Sequence, residues 1–357
     1  MIPDVIVVGG GPIGLAAAID ATSRGMRPIV VEPRPGPVDK ACGEGLMPGA
    51  VAVLERLGVS PKGMPFQGIS YLQADGRPGA RHSFSTGPGL GVRRTELHRA
   101  LGDAAKAAGV EVVADKVVAL LQDGARVRLA LGRGGVLEAP WVLACDGLHS
   151  TTRGLLGVAV RSNGRRFGLR RHVAVAPWSE DVQVYWSSVA EAYVTPVAPM
   201  QVGIALLTDR RWHFEKLLLH FPAIRDRVAG AEWTGPVRGA GPLRQRVARR
   251  VAGRVLLVGD AAGYVDALTG EGLRVGLESA GAALDAIEAG RPAVYERRWA
   301  EISRGYRYLT ATLVAATSTA PLRRAVVPAS AALPGVFACA VEALGGGVAE
   351  SPRGRAG

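Results

Sequence analysis

Three glycines spaced Gly9-x-Gly11-x-x-Gly14 stand directly after the apolar run from Val5 to Val8, with Ile13 between the last two and Leu15, Ala16 and Ala17 directly after them. The run reads as a buried parallel strand, and the residues after the glycines as an apolar helix. Gly9 permits the tight turn, Gly11 lets backbone approach a pyrophosphate, and Gly14 lets helix and strand pack closely. Pro12 and Ile13 lie inside the same turn. The helix N-terminus, where free N–H groups point outward, is where a diphosphate would sit. A second apolar run, from Pro28 to Val31, ends in Glu32, at the spacing of a carboxylate that accepts hydrogen bonds from ribose hydroxyls. A 2′-phosphate would be repelled there, so the site suits FAD or NAD better than NADP. Arg34 lies in the adjoining Pro/Gly-rich loop and joins the candidate cofactor-binding residues.

The chain of 357 residues is long enough for one large or two intimately joined domains with a sizeable core. Its formal charge of +12 would suit an anionic partner, but the arginines are scattered and aromatic residues make up only 5%. No basic groove interleaved with stacking aromatics is visible, so no nucleic-acid partner is expected. Cys42, Cys145 and Cys339 show neither metal-ligand spacing nor pairing. The six histidines, His172 among them, offer no pair at metal spacing and read as structural or surface residues. No metal site is expected. The first apolar run is already the nucleotide-binding strand, and no stretch reaches the ~20 apolar residues of a membrane span. A cytoplasmic setting is the expectation.

The elements that must position a nucleotide come in order along the chain. A helix is expected around residues 51–57 and another from Arg94 to about Gly109, with a strand hairpin between Phe66 and Ser85. Short strands are expected within 110–139, and a buried strand from Trp141 ends in the Asp146-Gly147 turn. Alternating runs between 166 and 208 suggest a mostly antiparallel sheet with one covered face. A strand from Arg254 ends in Gly259-Asp260. A small-residue helix then starts near Gly270-Glu-Gly272-Leu273. The remainder is helical, cut by Pro321, Pro328 and Pro334, with a frayed tail from Gly345.

Taken in this order and spacing, the Gly-rich turn, the Asp-Gly turn and the Gly-Asp turn resemble the FAD-dependent monooxygenase superfamily typified by para-hydroxybenzoate hydroxylase. The resemblance is nearest to its geranylgeranyl reductase and hydroxylase branch and runs from about residue 3 to about 300. It implies that Gly9, Gly11, Gly14 and Glu32 hold the ADP half of FAD, and that Arg94 reaches its diphosphate–ribityl region. Asp146 and Gly147 would support the pyrophosphate, Asp260 beside Gly259 the ribityl chain, and Gly270, Gly272 and Leu273 the flavin's pyrimidine edge. A reduced flavin carries negative charge there, which a helix N-terminus stabilises. The Lys40-Ala-Cys42-Gly43-Glu44-Gly45-Leu46 segment resembles the flavin-proximal loop of the reductase branch. Gly43, Gly45 and Leu46 are therefore cofactor-binding candidates, and Cys42 and Glu44 catalytic ones. Tyr193 and Thr195 share one face of the strand expected over the flavin and complete the catalytic candidates.

The implied fold is α/β: a Rossmann-like FAD-binding domain from residues 1–65, 92–165 and 245–300, and an antiparallel-sheet (α+β) substrate domain from 66–91 and 166–244. C-terminal helices over 301–344 and a flexible tail over 345–357 complete it. The implied activity is an FAD-dependent monooxygenase. NAD(P)H serves as co-substrate, and O₂ forms a flavin C4a-hydroperoxide that hydroxylates an apolar or aromatic, polyketide-type small molecule. The alternative is a reductase saturating prenyl or other C=C bonds; Cys42 and Gly263, where many aromatic hydroxylases carry histidine, favour it. The apolar helices between Leu313 and Leu344 could line a channel, rest on a membrane with Arg323 and Arg324, or form a dimer face. Ordinary packing against the FAD domain is preferred, and the oligomeric state is left open.

Overall fold

The computed structural model describes residues 2–162 and 164–345; the tail expected beyond Gly345 falls outside them. Ten helices are described: α1 (Pro12–Ser23), α2 (Pro48–Arg56), α3 (Arg94–Ala107), α4 (Thr151–Leu155), α5 (Phe214–Leu218), α6 (Pro222–Arg227), α7 (Gly272–Glu288), α8 (Val294–Ala316), α9 (Ala320–Ala332) and α10 (Pro334–Gly345).

The hydrophobic runs identified in the sequence become the centre of a six-stranded sheet. Its spatial order is Val251–Ala252, Val255–Leu257, Trp141–Ala144, Val5–Val8, Pro28–Val31 and Glu111–Val113. All neighbours are parallel except the short edge strand at 251–252. Val5, Ile6 and Val7 have no exposed surface, as expected of a strand covered on both faces. From the first strand the chain winds outward in one direction through 28–31 and 111–113. It then returns to the other side through 141–144 and 255–257. The order therefore reverses between Val5–Val8 and Trp141–Ala144, and in open α/β sheets the crevice at such a switch point is where ligands bind.

α1 and α7 cover one face of this sheet and lie close together. A Cβ added at Gly276 of α7 would come within 2.6 Å of Ile13 Cδ1, so the glycine is what permits the approach.

A seven-stranded sheet forms the second layer, in the order Trp233–Ala240, Phe167–Val173, Gln201–Thr208, Ala190–Ala198, Val182–Trp186, Gly68–Gln73 and Pro78–Ser83. It is antiparallel except between 182–186 and 68–73. The sequence does not announce a three-stranded sheet of Gly45–Leu46, Gly89–Gly91 and Met64–Phe66, which ties the loop after Lys40 to the underside of the larger one. Two residues of regular pairing carry too little periodicity to be recognised. The C-terminal helices also differ from expectation. α9 and α10 pack on the outer strands Gly68–Gln73 and Pro78–Ser83 of the seven-stranded sheet rather than on the nucleotide-binding sheet. Phe337, Val341 and Leu344 join Phe66, Phe84 and Trp186 in one apolar cluster there.

Candidate active site

Three strand ends meet at the switch point. Gly9 sits at φ 102°, a conformation that favours glycine, and a Cβ there would lie 2.6 Å from the Cys145 carbonyl oxygen and 2.8 Å from Asp146 Cα. Cys145 N–H donates to the Val8 carbonyl at 2.8 Å, and Val258 N–H to the Ala144 carbonyl at 2.9 Å. A Cβ at Gly14 would collide with the Gly9 carbonyl at 1.8 Å, and Gly259, at φ 63°, lies against Ile13. The turns at residues 9–14, 145–147 and 259–262 thus share one wall. Beyond Gly11 the nearest atom to an added Cβ is Arg94 Nη2 at 3.8 Å, which leaves the backbone open toward the crevice.

The charges at this wall are arranged for an anion. Arg34, Lys40 and Arg94 line the crevice beside the first turn of α1. Burial lowers the Lys40 pKa, and the neighbouring Arg34 and Arg94 lower it further. Arg94 is held against the desolvation of its own charge, and its Nε is buried without a partner. Asp146 Oδ2 accepts from Thr152 N–H at 2.9 Å, while Oδ1 is buried and unpaired; His98 Nε2 is in the same position. Burial pushes the Asp260 carboxyl up, opposed by Arg94, Lys40 and Arg153. Crowded cations at a helix N-terminus, with a donor left over, fit the diphosphate of a dinucleotide.

Glu32 is buried behind the first turn. It accepts from Gly10 N–H at 2.9 Å and from Arg34 through the backbone N–H at 3.1 Å, Nε at 2.6 Å and Nη2 at 2.9 Å. A ribose hydroxyl bound there has to displace an Arg34 contact, since two oxygens offer about four acceptor positions.

The loop over 39–45 is fastened to the layer above. Arg170, fully buried on the strand Phe167–Val173, donates to Asp39 and to the Lys40 carbonyl, and its Nη1 lies 3.1 Å from His172 Nδ1. A guanidinium can only donate, so His172 Nδ1 accepts and the ring proton sits on Nε2. That proton is donated to Glu44 Oε2 at 2.6 Å. The other oxygen of Glu44 accepts from Arg94 N–H at 2.8 Å. Glu44 takes φ 60°, unusual for a residue with a side chain, and these two donors hold it there. Gly203 makes the room, because a Cβ would stand 2.9 Å from Glu44 Oε2. Thr195 Oγ1 donates to the Gly43 carbonyl at 2.8 Å. The Glu44 N–H lies 3.4 Å from Cys42 Sγ, and burial raises the Cys42 thiol's pKa, which keeps it neutral.

Between the layers lies a cavity of about 410 Å³ that is continuous with the crevice. Of the residues singled out in the sequence, Gly11, Pro12, Ile13, Arg34, Cys42, Gly43, Glu44, Gly45, Arg94, Asp146, Gly147, Tyr193, Thr195, Gly259, Asp260, Gly270, Gly272 and Leu273 are on its wall. Gly9, Gly14 and Glu32 stand behind that wall as turn and support. Leu46 is not at the cavity. It alternates with Gly45 along a strand and points into the core beneath the nucleotide-binding sheet.

Other residues reach the site without a signal strong enough to mark them beforehand. Lys40 and Tyr264 reach the cavity from loops, and Tyr71 from the hairpin strand. His98 stands four residues after Arg94 on α3, a spacing that puts both on one face and that the sequence already displays. His172, unremarkable in the sequence, holds the loop over 39–45; its partner Glu44 is 128 residues away, which no local pattern reveals.

The sequence profile of the FAD binding domain family matches residues 3–287, most of the chain. The chain belongs to this family. It is an FAD-dependent oxidoreductase of the flavin monooxygenase superfamily. It is 29% identical over 325 residues to menaquinone reductase of Mycolicibacterium smegmatis, covering 83% of this chain and 79% of that protein. It is 26% identical to rifampicin monooxygenase of Rhodococcus hoagii, over 78% of this chain and 62% of that one. Among solved structures, a flavoprotein/dehydrogenase from Cytophaga hutchinsonii superposes with a TM-score of 0.83 at 19% identity, over 96% and 92% of the two chains. At that identity the likeness concerns the fold. For a flavoenzyme of this topology, the crevice at the switch point is the natural seat of the dinucleotide, with the seven-stranded sheet above it.

Proposed function

We propose that this flavoenzyme uses NAD(P)H and O₂ to hydroxylate an apolar, electron-rich ring in the cavity above the flavin. The net reaction is Ar–H + O₂ + NAD(P)H + H⁺ → Ar–OH + NAD(P)⁺ + H₂O. The observation that carries this reading is the cavity's lining. Ile69, Val182, Val184, Leu207 and Leu243 make it apolar, and the phenols of Tyr71, Tyr193 and Tyr264 interrupt that surface. Burial raises the pKa of all three, so they stay neutral. Neutral hydroxyls can donate to or accept from a substrate hydroxyl without bringing a charge and its water into the site. Tyr193 already donates to the Leu268 carbonyl at 2.7 Å, which leaves its oxygen free to accept.

When bound, FAD supplies the electron transfer and oxygen activation; this chain's residues supply binding, orientation and dryness. Arg94, Lys40 and the N-terminus of α1 would hold the diphosphate. The Gly270–Leu273 segment would hold the flavin's pyrimidine edge, and the locked 39–45 loop would give the ring a neighbouring wall. The roof's apolar side chains exclude water, and its tyrosines set which substrate atom faces the cofactor.

Reduction of a C=C bond is the second reading. It is favoured by the menaquinone reductase likeness over about four-fifths of both chains, and by a neutral Cys42 thiol on the cavity wall. One experiment separates the two. The holoenzyme is given NAD(P)H and a panel of alkyl-substituted phenols and prenylated compounds under ¹⁸O₂ and under argon. Hydroxylation predicts oxygen-dependent product carrying one ¹⁸O atom and no anaerobic product. Anaerobic turnover giving a product two hydrogens heavier would replace it with reduction.

A further inference from the structure

We propose that the C-terminal arm formed by the second half of α8, α9 and α10 rests on an anionic lipid bilayer, with α10 standing between that face and the cavity. From Tyr308 to Val341 the only charged residues are Arg323 and Arg324, in a chain that is 21% charged overall. Arg323 is turned inward, where it is buried and its Nε lies 3.2 Å from Glu191. Of the two arginines only Arg324 is on the surface, where it can meet a lipid headgroup.

The outward side of the arm is apolar. Leu322, Leu333 and Val336 are 47%, 57% and 65% exposed, and Tyr308 is 76% exposed. Neither α9 nor α10 can cross a bilayer. Among the described residues no single helix is long and apolar enough, and the two meet at a bend of 101° around Leu333. An uncharged, sharply bent pair with its apolar corner outward has the shape of an element that lies in an interface. The rim is cationic: Arg304 and Arg307 are exposed on α8 and Arg324 on α9. Glu342, the first acid after this stretch, is half-buried and engaged by His82 and Ser85. An arm whose exposed arginines outnumber its carboxylates, with Glu342 already paired to His82 and Ser85, complements an anionic surface in a chain of charge +12.

The inner face of the same arm favours a bilayer over a protein partner. Leu344 of α10 lines the cavity, and Phe337 meets Tyr71, also a lining residue, with ring centroids 4.8 Å apart. A single helix thus separates the apolar cavity from the apolar surface. A substrate dissolved in the bilayer would then lie one helix away from the cavity. That part rests on the apolar-substrate reading above; the surface contact does not, and it can be measured without turnover.

The FAD-loaded enzyme is sedimented with vesicles of equal parts phosphatidylcholine and phosphatidylglycerol, and with phosphatidylcholine alone. Binding is expected to the first and weaker binding to the second. The double variant L333D/V336D should lose about tenfold or more in partitioning, because two exposed apolar anchors are replaced by charge. Its flavin spectrum and thermal midpoint should be unchanged, since both side chains point away from the core. A wild type that stays in the supernatant, or a variant that binds equally well, overturns the proposal. So does a dimer in light scattering that the double variant splits, which would give the face to a second copy.

Discussion

Arg94 illustrates how a single side chain can be costly in isolation and useful in function. Its guanidinium is buried, its Nε lacks a partner, and Arg34 is a second cation nearby. A buried unpaired donor costs about 1–3 kcal/mol, and a hydrogen bond to a charged partner contributes about 1.5–3 kcal/mol. Arg94→Ala should therefore weaken FAD binding by about ten- to a hundredfold, without lowering the thermal midpoint of the apoprotein. Its backbone N–H, which serves Glu44, is untouched by the change. Flavin fluorescence titration and differential scanning calorimetry check the two halves. A variant that binds FAD as well as the wild type would remove Arg94 from the cofactor's binding site.

At the scale of elements, the decisive unit is the loop over 39–45 and its attachment to the strand Phe167–Val173. Glu44 and His172 come from different layers and meet at 2.6 Å, both almost without exposed surface. Removing one partner of such a buried hydrogen bond costs about 1–3 kcal/mol, because the surviving partner is left unsatisfied. Glu44→Ala and His172→Ala should each lower stability strongly. The double variant should cost less than their sum by about 1–3 kcal/mol. Denaturant unfolding of the four proteins forms the cycle. Strict additivity would show that the pair does not hold the loop. None of this was legible locally: the Cys42-Gly43-Glu44-Gly45 stretch advertises a backbone with unusual freedom, but not what would restrain it.

For the whole molecule, the cofactor site belongs to both layers, since the crevice supplies one wall of the cavity and the seven-stranded sheet the other. FAD at a hundred times its Kd should add about 2.7 kcal/mol to stability, provided that only the native state binds. The six tryptophans sample both layers: Trp141 and Trp299 pack with the first, and Trp178, Trp186, Trp212 and Trp233 with the second. Tryptophan fluorescence and flavin release should therefore report one coincident transition that moves up with added FAD. Two transitions, of which only the earlier responds to FAD, would mean that the roof is not coupled to the cofactor.

What the sequence determined on its own was the set of features with a local cause. The strand–turn–helix at residues 5–23, Glu32 at the end of the next strand, the turns after 144 and 257, and the alternating strands between 166 and 208 each satisfy their constraints within a few neighbours. Hydrophobic period and glycine placement expose such constraints directly. Tertiary structure alone decided which of these segments face each other: the three turns on one wall, His172 against Glu44, Arg323 turned inward to Glu191, and α10 across the roof rather than the nucleotide sheet. Those contacts join residues tens to hundreds of positions apart. Their energy comes from desolvated pairs and shared apolar area, and neither quantity exists until the chain has folded.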